Sequence, residues 1–189
     1  VMNSSANQSI NRQHSFNSPV LQATSGKYLI YNLGGNGFKI EGSSDTIYSG
    51  NTSNNIIAGD IAGSGRYALV TETQGYPSSL SVYLTDNTVQ YKYDFSEYYV
   101  TDISLNSDGT RAAVSGITAK DGGIVSAVYI FDFSNPEPIS ILTYNEVLME
   151  KVEYMDNGTV AAIGDTTTSM INGTTGEKVD YNYQSRQMT

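Results

Sequence analysis

Four copies of one turn, each followed by a short apolar strand, constrain the fold of this 189-residue chain more than any other feature. The turns centre on Gly26, Gly65, Gly109 and Gly158, which lie 39, 44 and 49 residues apart along the sequence. A typical following strand is Tyr67-Ala68-Leu69-Val70. A hairpin that recurs about every 40 to 50 residues is the sequence sign of a propeller blade. The sequence therefore predicts an all-β, β-propeller-like fold.

The strand pattern divides the chain into four units of four antiparallel strands. After a polar lead-in over residues 1–18, the domain occupies residues 19–189, and the predicted repeats are 19–50, 55–95, 99–143 and 147–183. The four blades are either a whole propeller or part of a larger one, and a β-sandwich is the alternative architecture. Residues 145–152 also fit a short helix, because their apolar side chains do not alternate. Their place before Asn157-Gly158 favours a strand.

Composition excludes several classes of function. Only 15% of residues are charged and the net charge is −9, with no cluster of basic residues. Binding to phosphate groups requires clustered Lys and Arg, so nucleic acids and anionic membrane surfaces are excluded as partners. The sequence has no cysteine, which excludes disulfides, thiolate metal sites and a cysteine nucleophile. No apolar run reaches the roughly 18 residues that cross a bilayer.

No catalytic residue, metal ligand or cofactor is predicted from motifs. His14 is the only histidine and lies in the polar lead-in. A Ser-His-Asp site needs a histidine base, and no Gly-x-Ser-x-Gly sequence is present. A histidine-based metal site generally uses two or more histidines.

Paired carboxylates leave one enzymatic alternative open. Two suitably placed carboxyl groups are sufficient for glycoside hydrolysis, and sequence spacing does not show which ones converge. The candidates are Asp60, Glu72, Asp94, Glu97, Asp102, Asp132 and Asp165. Asp102 and Asp132 lie within apolar strands, where a carboxylate must be paired or turned outward.

Tyrosines provide the candidate binding residues. The set predicted to bind a partner is Tyr76, Tyr91, Tyr93, Tyr98 and Tyr99. Tyrosine rings are favoured at recognition surfaces because they combine an apolar face with a polar tip. Tyrosine is also a preferred strand residue, so packing between blades is the alternative interpretation.

Two resemblances to known bacterial sequences extend these predictions. The segment 103–115 resembles the Ser-Pro-Asp-Gly-Lys hairpin of bacterial propeller repeats, with Asn106 and Ser107 in place of Ser and Pro. More widely, the runs 13–20, 31–38 and 71–76 are similar to a family of uncharacterised Gram-positive bacterial proteins that carry a propeller-like domain of unknown function. The resemblance implies a longer protein with a membrane-spanning segment near its N-terminus and this domain outside the cell.

These observations predict an extracytoplasmic, cell-surface binding or protein-interaction module without enzymatic activity. The expected partner is a protein or glycan of the cell envelope, and the expected membrane link is an anchor beyond this sequence. A homo-oligomer that covers open sheet edges is a further expectation, because unpaired edges favour association. The alternatives are a carbohydrate-active hydrolase or lyase and a structural scaffold fragment.

Overall fold

Sixteen β-strands form the protein in the computed structural model, which describes residues 15–183. They assemble into four sheets, each made of four consecutive antiparallel strands, and no helix occurs within the described residues. Every connection within a sheet is a hairpin, so the sheets follow one another along the chain. The predicted all-β, propeller-like architecture with four blades of four strands is confirmed.

The strands are numbered in chain order, four to a sheet. The first sheet contains β1 (Pro19–Thr24), β2 (Lys27–Asn32), β3 (Gly37–Gly42) and β4 (Thr46–Asn51). The second contains β5 (Ile56–Ile61), β6 (Tyr67–Thr71), β7 (Ser78–Tyr83) and β8 (Val89–Phe95). The third contains β9 (Tyr99–Leu105), β10 (Arg111–Lys120), β11 (Gly123–Asp132) and β12 (Ser140–Asn145). The fourth contains β13 (Met149–Tyr154), β14 (Thr159–Gly164), β15 (Thr167–Asn172) and β16 (Lys178–Asn182).

The ambiguous stretch 145–152 forms a turn followed by a strand rather than a helix. Glu146 has a φ of 57°, which a right-handed helix does not allow. The Leu148 N–H donates to the Asp165 carboxylate at 3.0 Å, and β13 begins at the next residue. The strand favoured before Asn157-Gly158 is therefore present.

The recurring glycines are required by the turns they occupy. Gly26, Gly65, Gly109 and Gly158 have φ values of 75°, 91°, 69° and 82°. Residues with a Cβ rarely adopt this left-handed region, whereas glycine enters it at little cost. The repeated motif is thus a conformational requirement of the hairpin that joins the first and second strands of each sheet.

Two glycine substitutions distinguish the cost of a left-handed backbone from the cost of a steric clash between neighbouring hairpins. Gly158→Ala adds a Cβ with no atom within 4 Å, so only the left-handed φ opposes it, at about 1–2 kcal/mol. Gly109→Ala places the new Cβ 2.7 Å from the Arg66 Cβ and 3.0 Å from the Ala62 Cβ of the second sheet. We expect Gly109→Ala to lower the free energy of unfolding more than Gly158→Ala, as measured by urea denaturation. Equal losses would contradict the close contact between these hairpins.

The sheets pack face to face, and their first strands lie innermost. β5 contacts β1 on one side and β9 on the other, and β9 in turn contacts β13. Three apolar clusters fill the spaces between successive sheets. Within the described residues, no such cluster joins the fourth sheet to the first. Over residues 15–183 the sheets therefore follow one another in an arc, and no other sheet of this part of the chain covers the outer face of the first or of the fourth sheet.

Candidate functional site

A pocket at the inner edges of the sheets collects polar side chains from all four innermost strands. Its volume is about 120 Å³, and its polar lining consists of Gln22, Asp60, Asp102, Ser104, Lys151 and Glu153. Side chains two positions apart on a strand point to the same side. Asp102 and Ser104 of β9, and Lys151 and Glu153 of β13, therefore enter the pocket in pairs.

Asp60 uses both carboxylate oxygens to bind backbone. Oδ1 accepts the N–H of Ile61 at 2.8 Å, and Oδ2 accepts the N–H of Leu105 in the third sheet at 2.7 Å. Burial raises the pKa of Asp60 to about 6, although these two hydrogen bonds act in the opposite direction. The side chain thus connects two sheets and titrates within the range useful to a general acid or base.

Asp102 and Ser104 make the same kind of connection to the fourth sheet. Asp102 Oδ2 accepts the Val152 N–H at 3.0 Å, and Ser104 Oγ accepts the Tyr154 N–H at 3.0 Å. Burial also raises the pKa of Asp102, against hydrogen bonds from the Val152 and Ile103 N–H groups and the positive charge of Lys151. An innermost strand has an unpaired edge, and these side chains satisfy N–H groups that it leaves free.

The structure brings together two of the seven candidate carboxylates, Asp60 and Asp102. The other five lie outside this pocket: Glu72, Asp94, Glu97, Asp132 and Asp165. Asp132, for example, forms an ion pair with Arg111 at 3.2 Å. Its position in an apolar strand is explained by that partner and by hydrogen bonds from Ser134.

Sequence reasoning missed four polar residues that also line the pocket: Gln22, Ser104, Lys151 and Glu153. A signal was available in the repeat itself. Asp60, Ser104 and Glu153 are each the last residue but one of an innermost strand, just before the recurring hairpin. Superposing the four repeats on their hairpins would have placed all three in one layer.

The five tyrosines predicted to bind a partner divide into two groups. Tyr91 and Tyr98 are buried, and Tyr93 is half-buried against the core between the second and third sheets. Tyr76 and Tyr99 are 47% and 62% exposed. Packing accounts for the first three, and binding through the exposed pair remains a prediction.

A second, larger cleft lies between the end of β4 with the segment 52–54 that follows it and the strands β6, β7 and β8 of the second sheet. It has a volume of about 280 Å³, close to the lower limit of about 300 Å³ for small-molecule sites. Its lining consists of Asn51, Thr52, Ser53, Asn54, Thr71, Thr73, Ser79, Ser81, Tyr83 and Lys92. These groups are hydroxyls, amides, one phenol and one ammonium, with no carboxylate among them.

The cleft exists because a serine, Ser81, replaces an aromatic residue at this interface. Leu69 in β6 and Val114 in β10 lie at the same position in their sheets, counted from the hairpin that precedes each strand. Leu69 pairs with Ser81 in β7 and Val114 pairs with Tyr129 in β11, so Ser81 is the counterpart of Tyr129. Tyr129 fills the space between the second and third sheets, 5.1 Å from the ring of Phe95. Serine lacks that ring, so the outer part of the first interface stays open.

A family model for a family of unknown function, DUF5711, matches residues 1–187. The chain belongs to the DUF5711 family. This agrees with the resemblance of the sequence to a domain of unknown function. No curated protein matches the sequence.

Solved structures support the fold of this DUF5711 chain. A crystal structure of the eukaryotic initiation factor superposes with a TM-score of 0.65 at 9% identity, over 93% of this chain and 45% of the other. KlHsv2 with loop 6CD replaced by a Gly-Ser linker superposes with a TM-score of 0.59 at 14% identity, over 93% and 60%. The DUF5711 chain thus spans about half the length of these propeller-like structures. Identities this low establish the fold alone.

Two further findings on residues 15–183 of the DUF5711 chain concern clusters of His, Cys, Asp or Glu side chains and membrane-spanning helices. These residues contain no group of three or more side chains able to hold a metal ion together. None of them forms a helix long and apolar enough to cross a membrane. His14, the only histidine, lies outside the described residues.

Proposed function

We propose that this DUF5711 domain is an extracytoplasmic binding module that recognises a hydroxyl-rich ligand, a glycan of the cell envelope, in the cleft between its first and second sheets. The lining of that cleft is the observation that supports the proposal. Its hydroxyl, amide and phenol groups can donate hydrogen bonds to sugar hydroxyls and accept hydrogen bonds from them. Lys92 adds a positive charge that suits an acidic substituent on the sugar. Because no carboxylate lines the cleft, it contains no acid–base pair for glycoside cleavage.

The aromatic floor of the cleft is held in a fixed orientation. The ring of Tyr83 stacks on the ring of Tyr67 with a centroid separation of 4.7 Å and an angle of 6° between the planes. Tyr67 is fully buried and its hydroxyl donates to the Asn87 side chain at 3.0 Å. A site whose aromatic residue is already fixed loses less conformational entropy when a ligand binds.

A binding experiment with paired variants tests the proposal. The whole chain is titrated by calorimetry with soluble peptidoglycan fragments and neutral envelope oligosaccharides. We expect Ser81→Tyr, which adds the ring found at the counterpart position in the third sheet, to weaken binding at least tenfold by filling the cleft. Lys120→Ala, a change in the hairpin of the third sheet, should leave the affinity unchanged. The absence of binding to every glycan, or equal affinities for Ser81→Tyr and the unmodified chain, would contradict the proposal.

A carbohydrate-active hydrolase or lyase is the second candidate, because Asp60 and Asp102 line one pocket and Asp60 has a raised pKa. Against it, both oxygens of Asp60 already accept backbone N–H groups. Release of reducing ends from the same glycans separates the two functions. The binding proposal predicts no release, whereas turnover that Asp60→Asn abolishes would support the enzyme.

A further inference from the structure

Successive sheets are joined by a hydrogen bond that recurs: a side chain near the end of one innermost strand accepts a backbone N–H of the next innermost strand. The fourth sheet carries a suitable acceptor at the same position. In β5 and β9 the last residue but one accepts an N–H from the next innermost strand: Asp60 from Leu105 and Ser104 from Tyr154. The corresponding residue of β13 is Glu153. Its carboxylate forms a 3.4 Å ion pair with Lys151, and both side chains are more than half exposed. Such surface pairs contribute little to stability, so Glu153 is available as an acceptor.

The open face of the fourth sheet has the apolar pattern of a buried one. Strand registers place Val179 and Tyr181 of β16 at the positions that Tyr91 and Tyr93 occupy in β8. The two residues in β8 pack against the third sheet, whereas Val179 and Tyr181 are each 58% exposed. Val179 and Tyr181 lie two positions apart on β16 and so point to the same side of the sheet. Neighbouring exposed apolar side chains suit an interaction surface.

The first sheet has the complementary open face. Leu21 of β1 is 54% exposed, with Ile30 of β2 beside it in the ladder. The Leu33 N–H donates to the Ser18 carbonyl, which sets the alternation of hydrogen bonds between β1 and β2. This alternation directs the Ala23 N–H away from β2, toward the innermost edge. The N–H groups of Leu105 and Tyr154 also point toward the innermost edge, where a side chain of the preceding sheet accepts each of them.

We propose that the open face of the fourth sheet binds the open face of the first sheet of a second copy of this chain. In that contact Glu153 accepts the Ala23 N–H of the second copy, and Leu21 and Ile30 take the places that Ile103 and Val114 occupy between the second and third sheets. Val179 and Tyr181 lie over β3 of the second copy, as Tyr91 and Tyr93 lie over β11. The contact continues an interface that already occurs three times within the chain. A two-fold arrangement forms it twice and produces a closed ring of eight sheets.

A second copy is favoured because both halves of the contact are present on this chain. The two similar propeller-like structures extend well beyond the part that this chain matches, which spans 45% and 60% of their lengths. Four sheets alone leave the apolar faces at the two ends of the arc exposed. A head-to-tail pair covers both of them without any other protein.

Oligomeric state tests the proposal, by sedimentation equilibrium at about 0.15 M salt and at protein concentrations up to about 100 μM. The unmodified chain should be a dimer, and Val179→Asp and Leu21→Asp should each be monomeric. These side chains are exposed in the single copy, so the variants should keep the folded circular dichroism spectrum. Ile124→Asp, at a 48% exposed position on the third sheet, is the control that should remain dimeric.

Mixing the two monomeric variants shows whether the contact is head-to-tail. Val179→Asp retains an intact first sheet and Leu21→Asp retains an intact fourth sheet. We therefore expect the mixture to form a one-to-one pair that neither variant forms alone. A monomeric unmodified chain, or a Leu21→Asp variant that still dimerises, would overturn the proposal.

Discussion

A Phe95→Ala variant is expected to have a free energy of unfolding about 3–5 kcal/mol below that of the unmodified protein. Phe95 is fully buried between the second and third sheets. The centre of its ring lies 5.1 Å from the ring centres of Tyr93 and Tyr129 and 6.2 Å from that of Phe131, and all three pairs are edge-to-face. Removing the ring leaves a cavity and abolishes three aromatic contacts. Urea denaturation followed by circular dichroism measures the loss.

Tyr99→Ala is the matched control for the aromatic interface. Tyr99 belongs to the same tyrosine-rich stretch of sequence but is 62% exposed. Its replacement should change the free energy of unfolding by no more than about 0.5 kcal/mol. A large loss in Tyr99→Ala, or a small one in Phe95→Ala, would contradict the division of the aromatic residues into packed and exposed groups.

The second large effect is a pH-dependent contribution of Asp60 to stability. Its pKa rises from 3.8 in the unfolded chain to about 6 in the folded one, mainly through burial. The folded state therefore favours protonated Asp60. The contribution is complete below about pH 4 and is lost as the pH rises through about 6. The shift corresponds to about 3 kcal/mol, at 1.36 kcal/mol per pKa unit.

Asp60→Asn removes this titration while keeping the size of the side chain. The free energy of unfolding of the unmodified protein, minus that of the variant, should fall by about 3 kcal/mol between about pH 3 and about pH 7. Asp102 also titrates at a raised pKa but is present in both proteins, so its contribution cancels. Unfolding curves across this pH range provide the comparison. Parallel profiles for the two proteins would show that Asp60 is not buried as described.

The repeated hairpin made the architecture predictable from sequence. Gly65 and Gly109 signal turns because their positive φ values restrict the residue type. The stretch that also fitted a helix was harder to assign, because Val147 and Met149 straddle the boundary between a turn and β13. Hairpin connections then determined the strand order within each sheet, since consecutive strands pair.

The candidate sites were less predictable because they depend on how the sheets face one another. The convergence of Asp60 and Asp102 requires β5 and β9, which β6, β7 and β8 separate along the chain, to become neighbours. The tyrosines fitted both interpretations, because a ring on a strand packs or binds depending on which face is covered. The polar cleft results from a serine, Ser81, at the position that Tyr129 occupies in the third sheet. That difference becomes visible only when the strand registers of the two sheets are aligned.

Amide hydrogen exchange tests the central claim most directly, namely that side chains of one sheet bind the free inner edge of the next. The N–H groups of Leu105, Val152 and Tyr154 lie on edge strands and have side-chain acceptors in the preceding sheet. We expect these three amides to exchange as slowly as those within the hairpin ladders, and the Leu105 amide to lose its protection selectively in Asp60→Ala. Exchange of all three at the rate of an unfolded peptide would contradict this description of how the sheets are joined.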